Sequence, residues 1–198
     1  FAHYDFLSDK VRGSILVGSG ADLLVYGMGE NAGIEIAERI KNGENINNLT
    51  IRGTCRLALK NEILDTLVLP SYDEVRNDYN SFLMMTELIY ENSNPFTARI
   101  LEQNHSGRRV IQFPPPLPLD EEKMDALYNH NFGFDSGNKN IPALRMIKDS
   151  IISHRGCMGG CSFCALNIHQ GKYIQSRSIS SIISEIKLRS QDSNFTGV

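Results

Sequence analysis

Three of the chain's four cysteines lie in residues 155–172, RGCMGGCSFCALNIHQGK. They are separated by three and then two residues, so Cys157, Cys161 and Cys164 follow a C-x3-C-x2-C pattern. This spacing is too irregular for one face of a helix, but it is short enough to surround one compact centre. Gly156, Gly159 and Gly160 let the backbone approach a bulky inorganic group closely. The stretch therefore favours a loop that binds such a group over simple packing.

Four interpretations of these thiols compete. Three buried structural cysteines would not need this spacing beside glycines. A redox pair of Cys161 and Cys164 leaves Cys157 unexplained and does not begin an evident helix. A closed zinc site needs four ligands, and His169 would complete a Cys3His set. An iron–sulfur cubane usually takes four cysteines, so three would leave one iron open to a substrate or cosubstrate. Spacing alone narrows the choice to a cluster or zinc.

The segments around the cysteines predict alternating strands and helices. Residues 144–156 form a strand candidate before the loop, and residues 176–191, SRSISSIISEIKLRSQ, have isoleucines at helical spacing with Ser178 as N-cap. Residues 194–198 read as the start of another strand. The order strand, loop, helix, strand predicts one βα unit of a larger barrel or sheet.

The first part of the chain also predicts an α/β layer. Residues 9–20 have the apolar spacing of a helix that glycines end, and Leu23–Tyr26 form a continuous apolar run, as in a strand buried on both faces. Residues 31–43 predict a second helix, with Asn31 as a plausible cap and Gly43 as the stop. This order is typical of a parallel sheet.

The middle of the chain follows a different pattern. Residues 72–92 predict one long helix in which Met84 and Met85 fill the core. A hairpin is expected around residues 104–107, NHSG. Three consecutive prolines keep residues 114–119 extended, as a rigid connector more than a recognition ligand. Residues 120–130 predict a short helix with acidic residues in its first turn.

Composition excludes several classes of function. The 198 residues are 41% hydrophobic and 22% charged, and the net charge of −3 gives no basic field for a nucleic acid. We interpret the pair Arg108 and Arg109 as a solvated strand start. No apolar run approaches the roughly 20 residues of a membrane span.

Four cysteines are too few for a disulfide-stapled secreted protein, so we expect a reducing compartment, the cytoplasm. The first residue is Phe1 and no secretory signal is visible, so we expect an internal fragment.

The cysteine loop and the stretches around it carry a resemblance. The three-cysteine pattern, with aromatic Phe163 just before the last cysteine, is similar to the cluster loop of the radical S-adenosylmethionine (radical SAM) superfamily. Residues 153–186, SHRGCMGGCSFCALNIHQGKYIQSRSISSIISEI, resemble the YgiQ-type branch, whose large proteins have no established substrate. Residues 1–30 and 107–119 resemble the same branch, so nearly the whole chain is covered.

The resemblance implies a cofactor and a reaction. Cys157, Cys161 and Cys164 would each ligate one iron of a 4Fe-4S cluster, and the fourth iron would chelate S-adenosylmethionine. Reductive cleavage would give methionine and a 5′-deoxyadenosyl radical that abstracts hydrogen from an unknown substrate. Phe163 would lie against the adenine. An electron donor such as flavodoxin or ferredoxin would be required. The competing hypothesis is a zinc-stabilised Cys3His binding or scaffold module, and a third is a cluster used only for electron transfer, which would need a fourth ligand.

The resemblance also implies a domain organisation. Residues 1–56 would be the C-terminal part of a Rossmann-like domain similar to cobalamin-binding domains, and residues 57–143 a connecting α+β region. Residues 144–198 would begin a radical SAM core, a partial TIM-type barrel. The glycine-rich SAM-binding motif of the next strand and any cobalamin histidine motif are not seen, so we do not predict cobalamin and expect the fragment alone to be inactive.

Four further residues have ordinary interpretations. Cys55 is expected to be a packed thiol and His3 a surface or capping residue. His154 is expected to have a structural role, with a hydrogen bond to a cluster sulfur as the alternative. Arg177 is expected to form an ordinary salt bridge, with charge neutralisation near a cluster as the alternative.

Overall fold

The computed structural model describes residues 1–130, 143, 147, 149–191, 195 and 197. The chain divides into two compact units, Phe1–Leu117 and Pro118–Val198. The three-part division predicted from the sequence stays a prediction. Within the described residues, no helix combines the length and the apolar character that crossing a membrane requires.

The first unit is built on a five-stranded mixed sheet. A separate antiparallel pair precedes it, β1 (His3–Asp5) and β2 (Lys10–Arg12). The sheet strands are β3 (Leu23–Val25), β4 (Thr54–Leu57), β5 (Thr66–Val68), β6 (Ile100–His105) and β7 (Arg108–Gln112). Their spatial order is β3-β4-β7-β6-β5. The β5–β6 pair is parallel, and the other neighbouring pairs in this sheet are antiparallel. The α/β class is therefore confirmed.

The predicted parallel arrangement is wrong for this sheet. β3 pairs antiparallel with β4 and lies at the sheet edge, where Val25 is 42% exposed rather than buried on both faces. A short apolar run does not reveal which strand it will join, because that depends on distant residues.

Four helices of the first unit accompany the sheet: α1 (Ile15–Ser19), α2 (Glu30–Lys41), α3 (Tyr72–Asn77) and α4 (Tyr79–Glu91). A short 3-10 turn spans Ile46–Asn48. The helix predicted for residues 9–20 is wrong in its first part, because Val11 lies in β2 opposite Tyr4. The second predicted helix is present as α2, although its N-cap is Gly29 rather than Asn31.

The single helix predicted for residues 72–92 is interrupted at Asp78. Its backbone is extended, with φ −133° and ψ 123°, and its carboxylate accepts a hydrogen bond from Ser81 N at 2.8 Å. Asp78 therefore ends α3 and caps α4, as a short acidic side chain does at a helix start. Met85 is buried as predicted, whereas Met84 is 56% exposed and does not fill the core.

The sheet register decides which side chains meet the helices. Cross-strand partners share a face, so Cys55 lies on the same face as Val110 and Leu101. These residues belong to buried clusters that include Leu16 of α1, Val75 of α3 and Met85 of α4. Arg56 and Glu102 lie on the opposite face.

The predicted hairpin is confirmed as β6 and β7. Ser106 and Gly107 form its turn with φ values of 50° and 88°, and Gly107 N donates to Asn104 Oδ1 at 2.8 Å. Two positive φ values match the right-handed twist of the flanking strands. Residues 114–119 form no helix or strand, in agreement with the predicted connector.

The second unit contains α5 (Glu121–Tyr128), β8 (His154–Arg155), α6 (Leu166–Gln170), β9 (Gln175–Ser176) and α7 (Ile179–Arg189). The helices predicted for residues 120–130 and 176–191 are confirmed as α5 and α7. Ser178 caps α7 as predicted, accepting from Ser181 N at 3.1 Å. Of the strand predicted for residues 144–156, only His154 and Arg155 form a strand among the described residues, and Ile147 is helical. Residues 144–146 and 148 lie outside the described residues, as does most of the strand predicted for 194–198.

Candidate cluster-binding loop

The cysteine loop, residues 157–174, is closed at its base by β8 and β9. Arg155 pairs with Gln175 in an antiparallel register, and Cys157 N donates to Gly171 O at 3.1 Å. Gly156 N donates to the side chain of Gln170 at 3.2 Å. The two ends of the loop are therefore held together by backbone and side-chain hydrogen bonds.

Gly156 is the residue at which the chain enters the loop. It is buried, has φ 88°, and packs directly against the backbone of Tyr173. This left-handed conformation is open to glycine at little cost and costs other residues more. The sequence predicts that this glycine lets the backbone approach an inorganic group; in the structure it lets two segments of the loop base approach each other.

The three thiols lie on the outer part of the loop. Cys157 and Cys164 are half-buried and Cys161 is exposed. Gly159 lies between the first two sulfur atoms, since a Cβ atom added there would be 3.3 Å from Cys157 Sγ and 3.7 Å from Cys161 Sγ. Gly159 N also points to Cys157 Sγ at 3.3 Å. The missing side chain leaves room between two candidate ligands, and an amide donor faces one of them.

The short helix α6 fixes the far side of the loop. Asn167 donates from its side-chain amide to Gly159 O at 2.8 Å, and Cys164 N donates to Cys161 O at 3.2 Å. The backbone of the glycine between the thiols is thus tied to a helix. α6 begins two residues after Cys164, so a helix does follow the C-x2-C pair, which the sequence did not reveal.

Within the part of the chain that the structure describes, no three His, Cys, Asp or Glu side chains form a group that would hold a single metal ion. His169, the fourth ligand of the zinc hypothesis, is exposed on α6. A mononuclear zinc site needs all its ligand atoms near one ion, whereas the thiolates of a cubane bind different irons.

The side chain of Phe163 points into solvent. Its side chain is 89% exposed, in the same loop as Met158 at 81% and Ile168 at 80%. Large apolar side chains exposed this far are costly in water and gain from being covered.

The remaining predicted residues occupy ordinary positions. Cys55 is packed against the sheet core as expected, and burial raises the pKa of its thiol to about 12. His3 is half-buried in β1, with its Nδ1 3.4 Å from Phe1 O. His154 is exposed, with Nδ1 3.0 Å from Ser153 Oγ. Arg177 forms the expected salt bridge, to Glu185 at 2.5 Å.

The sequence did not indicate that Gln175 and Tyr128 support the base of the cysteine loop. Gln175 is 6% exposed; its side chain accepts from Leu119 N at 2.7 Å and donates to Gln170 O at 3.4 Å. Arg177 stacks over the Tyr128 ring at 4.3 Å, and Arg155 donates to Tyr128 Oη at 2.9 Å. In the sequence, this position is marked only by polar residues between the cysteine loop and the helix that follows it.

A carboxylate joins α5 to the start of α7. Asp125 accepts from Ser178 N at 2.9 Å and from the Ser178 hydroxyl, and these hydrogen bonds from Ser178 hold the pKa of Asp125 below its usual range. The helix that follows the cysteine loop is therefore fixed at its N-terminus by a charged acceptor.

Comparison with known proteins identifies the family. Residues 1–150 match the family described as "Radical SAM N-terminal". The chain belongs to this family. Membership of the radical SAM superfamily, predicted from the cysteine loop, is therefore confirmed by residues that end before Cys157.

Curated relatives of this radical SAM chain match over its whole length. A UPF0313 protein of Methanocella arvoryzae is 43% identical, one of Rhodopseudomonas palustris 40%, and one of Geobacter sulfurreducens 39%. Each match covers 100% of this chain and 33% or 34% of the relative, so the chain spans about a third of their length. These relatives support the predicted YgiQ-type branch. No solved structure matches the chain.

Proposed function

We propose that this chain carries the cluster loop of a radical SAM enzyme. Cys157, Cys161 and Cys164 would hold a 4Fe-4S cluster, and the iron without a cysteine would be open to S-adenosylmethionine. The observation that carries the proposal is the position of Gly159 between the sulfur atoms of Cys157 and Cys161, on a loop whose ends are already joined.

The donor set fits a cluster by its chemistry. Three thiols in one loop suit iron–sulfur ligation, and an amide directed at a cysteine sulfur stabilises a thiolate and tunes its cluster. Gly159 N supplies such a donor to Cys157 Sγ. When bound, the cluster supplies the electron for reductive cleavage of S-adenosylmethionine, and the protein's part is to position the groups and exclude water.

Phe163 is the residue we assign to the adenine of S-adenosylmethionine. It lies between Cys161 and Cys164 in sequence, and its 89% exposure leaves the ring free to stack on a base. Stacking a nucleobase on an aromatic ring is favourable because it buries both π faces.

The zinc-stabilised module is the competing function. It requires His169 to join the three cysteines, and these four side chains are not gathered around one point in the described residues. The two functions are separated by the metal that the loop binds, because zinc and an iron–sulfur cluster both need their thiolates around one centre. A cluster used only for electron transfer would need a fourth ligand, and Cys55 is buried in the first unit.

The wider architecture is also a proposal. Residues 1–56 would end a Rossmann-like domain. Residues 144–198 would open a partial barrel. The complete protein would act in the cytoplasm on an unknown substrate, with flavodoxin or ferredoxin as electron donor, and without a nucleic acid or membrane.

Anaerobic reconstitution of the 198-residue chain with iron and sulfide tests the proposal. We expect about four irons and four sulfides per chain. Replacing Cys157, Cys161 or Cys164 by Ala should lower iron content sharply, whereas Cys55→Ala should leave it intact. Addition of S-adenosylmethionine should change the electron paramagnetic resonance signal of the reduced cluster, and Phe163→Ala should weaken this response.

Replacement of His169 separates the cluster from zinc. His169→Ala should abolish metal binding by a Cys3His site and should leave iron content unchanged in a cluster loop. A chain that binds zinc tightly and never takes up about four irons would contradict the proposal. A cluster whose signal does not respond to S-adenosylmethionine would point to electron transfer alone.

A further inference from the structure

A groove of about 400 Å³ lies in the first unit, away from the cysteine loop in sequence. It is formed by the segment that follows β4 and by the turn of the β6–β7 hairpin. Its polar lining consists of Lys60, Asn61, Arg108 and Arg109. The groove therefore contains the arginine pair that the sequence assigned to a solvated strand start.

The wall that follows β4 is held in one conformation. Ala58 N donates to Arg109 O at 2.8 Å, and Leu59 N donates to the Glu62 carboxylate at 2.8 Å. Asn61, which lies between Leu59 and Glu62, has a left-handed backbone with a φ of 62°. These bonds form a tight turn, so the groove exists before any ligand binds.

The carboxylates beside the groove are already engaged. Glu62 accepts two hydrogen bonds from Arg56, at 2.6 and 2.8 Å, and the side chain of Arg56 is 1% exposed. Glu102 lies 3.3 Å from Arg109, which also donates to Glu62 O at 2.7 Å. Neither carboxylate is therefore available to neutralise another cation.

Lys60 and Arg108 supply the excess positive charge. Among the described residues, neither side chain forms an ion pair within 4.0 Å, and both are exposed at the groove. A concave surface with an excess of one charge concentrates counter-ions more than a flat surface does. Lys60 and Arg108 therefore leave the groove lining with positive charge that no ion pair within 4.0 Å offsets.

We propose that this groove binds a small organic oxyanion, with Arg108 and Lys60 as its charged contacts. The guanidinium fork of arginine matches both carboxylate and phosphate, and the shared chemistry is a compact anionic oxygen group. The volume lies in the range of small-molecule sites. A nucleic acid backbone is bound through a series of phosphate contacts, and two cationic side chains are too few to make such a series. The proposal is independent of the cluster loop.

Calorimetric titration of the 198-residue chain at low ionic strength tests it, with inorganic pyrophosphate and citrate as separate probes. We expect at least one probe to bind, and Arg108→Ala or Lys60→Ala to weaken binding about tenfold because each removes a charge-assisted contact. Binding of pyrophosphate alone assigns a phosphate ligand, and binding of citrate alone assigns a carboxylate. Failure of both probes to bind overturns the proposal.

Two control variants remove the same charges elsewhere in the first unit. Arg99→Ala removes an arginine that is 51% exposed and paired with Asp65, and Lys41→Ala removes a lysine at the end of α2. Both should bind the probes as the parent chain does. If they weaken binding as much as the groove variants, the effect is one of net charge and the groove is not a site. Arg108→Lys should give an intermediate loss, since it keeps the charge without the fork.

Discussion

The carbonyl oxygen of Tyr173 occupies the space that a side chain on Gly156 would need. A Cβ atom on Gly156 would lie 1.9 Å from Tyr173 O and 2.9 Å from Tyr173 C. Both are backbone atoms, so no rotation of a flexible side chain relieves the overlap. Because Gly156 directly precedes Cys157, this contact fixes where the cysteine loop begins.

Replacing Gly156 by Ala should therefore open the loop base. A positive φ alone costs roughly 1–3 kcal/mol at a residue other than glycine, and the backbone overlap adds to it. Gly171→Ala is the matched control, because Gly171 has φ 87° and a Cβ atom added there would meet nothing within 4 Å. Urea unfolding should show a clearly larger loss of stability for Gly156→Ala than for Gly171→Ala. Equal losses would mean that the Tyr173 contact does not constrain the base.

Gly159→Ala should impair iron uptake without unfolding the chain. The new methyl group would lie 3.3 Å from Cys157 Sγ, a tight contact, in a backbone conformation without positive φ. Gly160→Ala places its methyl group in open space and serves as the control. Iron content after reconstitution should fall for the first variant and stay at the parent level for the second. Normal iron content in Gly159→Ala would show that the space between the sulfur atoms is not needed.

Gln175→Leu should destabilise the second unit by about 1–3 kcal/mol. The substitution removes the acceptor for Leu119 N and the donor to Gln170 O, and a buried donor left without a partner costs this amount. Ser176→Ala changes the exposed neighbour on the same strand and should cost little. Thermal unfolding followed by circular dichroism measures both. A Gln175→Leu variant as stable as Ser176→Ala would exclude a supporting role.

The Arg56–Glu62 pair should make the first unit sensitive to acid. Hydrogen bonds from Arg56 hold the pKa of Glu62 below its ordinary value of 4.5. The stabilisation is therefore complete above that value and is lost as the pH falls through the lower pKa of the folded state. Glu62→Gln should cost about 3 kcal/mol at neutral pH, near the lower limit for breaking a buried pair, because Glu62 is 14% exposed.

Denaturant titrations between pH 7 and pH 3 measure this effect. The parent chain should lose more stability on acidification than Glu62→Gln, which lacks the titrating group. Glu87→Gln, on the exposed surface of α4, should follow the parent curve. An acid response unchanged by Glu62→Gln would place its origin in other carboxylates.

Local signals in the sequence predicted those elements whose boundaries are decided locally. Ser178 and the isoleucines after it place α7, and Asp120 with its acidic first turn places α5. The NHSG turn places the hairpin. The caps and turns of these elements are formed by residues within or next to them, so their boundaries do not depend on distant contacts.

Elements decided by competition or by distant partners were missed. At Asp78, the capping preference of one acidic side chain prevails over the helical spacing that continues on both sides. Val11 fits the apolar spacing predicted for a helix over residues 9–20 but pairs with β1, and the direction of β3 depends on β4, some 30 residues away. At the cysteine loop, spacing indicates the three cysteines as candidate ligands, which stays a prediction, whereas Gln175 and Tyr173 act through contacts that spacing does not encode.

The pairing of β8 with β9 has a thermodynamic consequence for any metal that the loop takes up. Bringing the two ends of a chain segment together costs configurational entropy. For the cysteine loop, this cost is met when the second unit folds, because β8 and β9 then pair. Binding then has only the outer part of the loop left to order. By mutual linkage, a bound metal centre would raise the melting temperature of the second unit, and conditions that separate the two strands would release it.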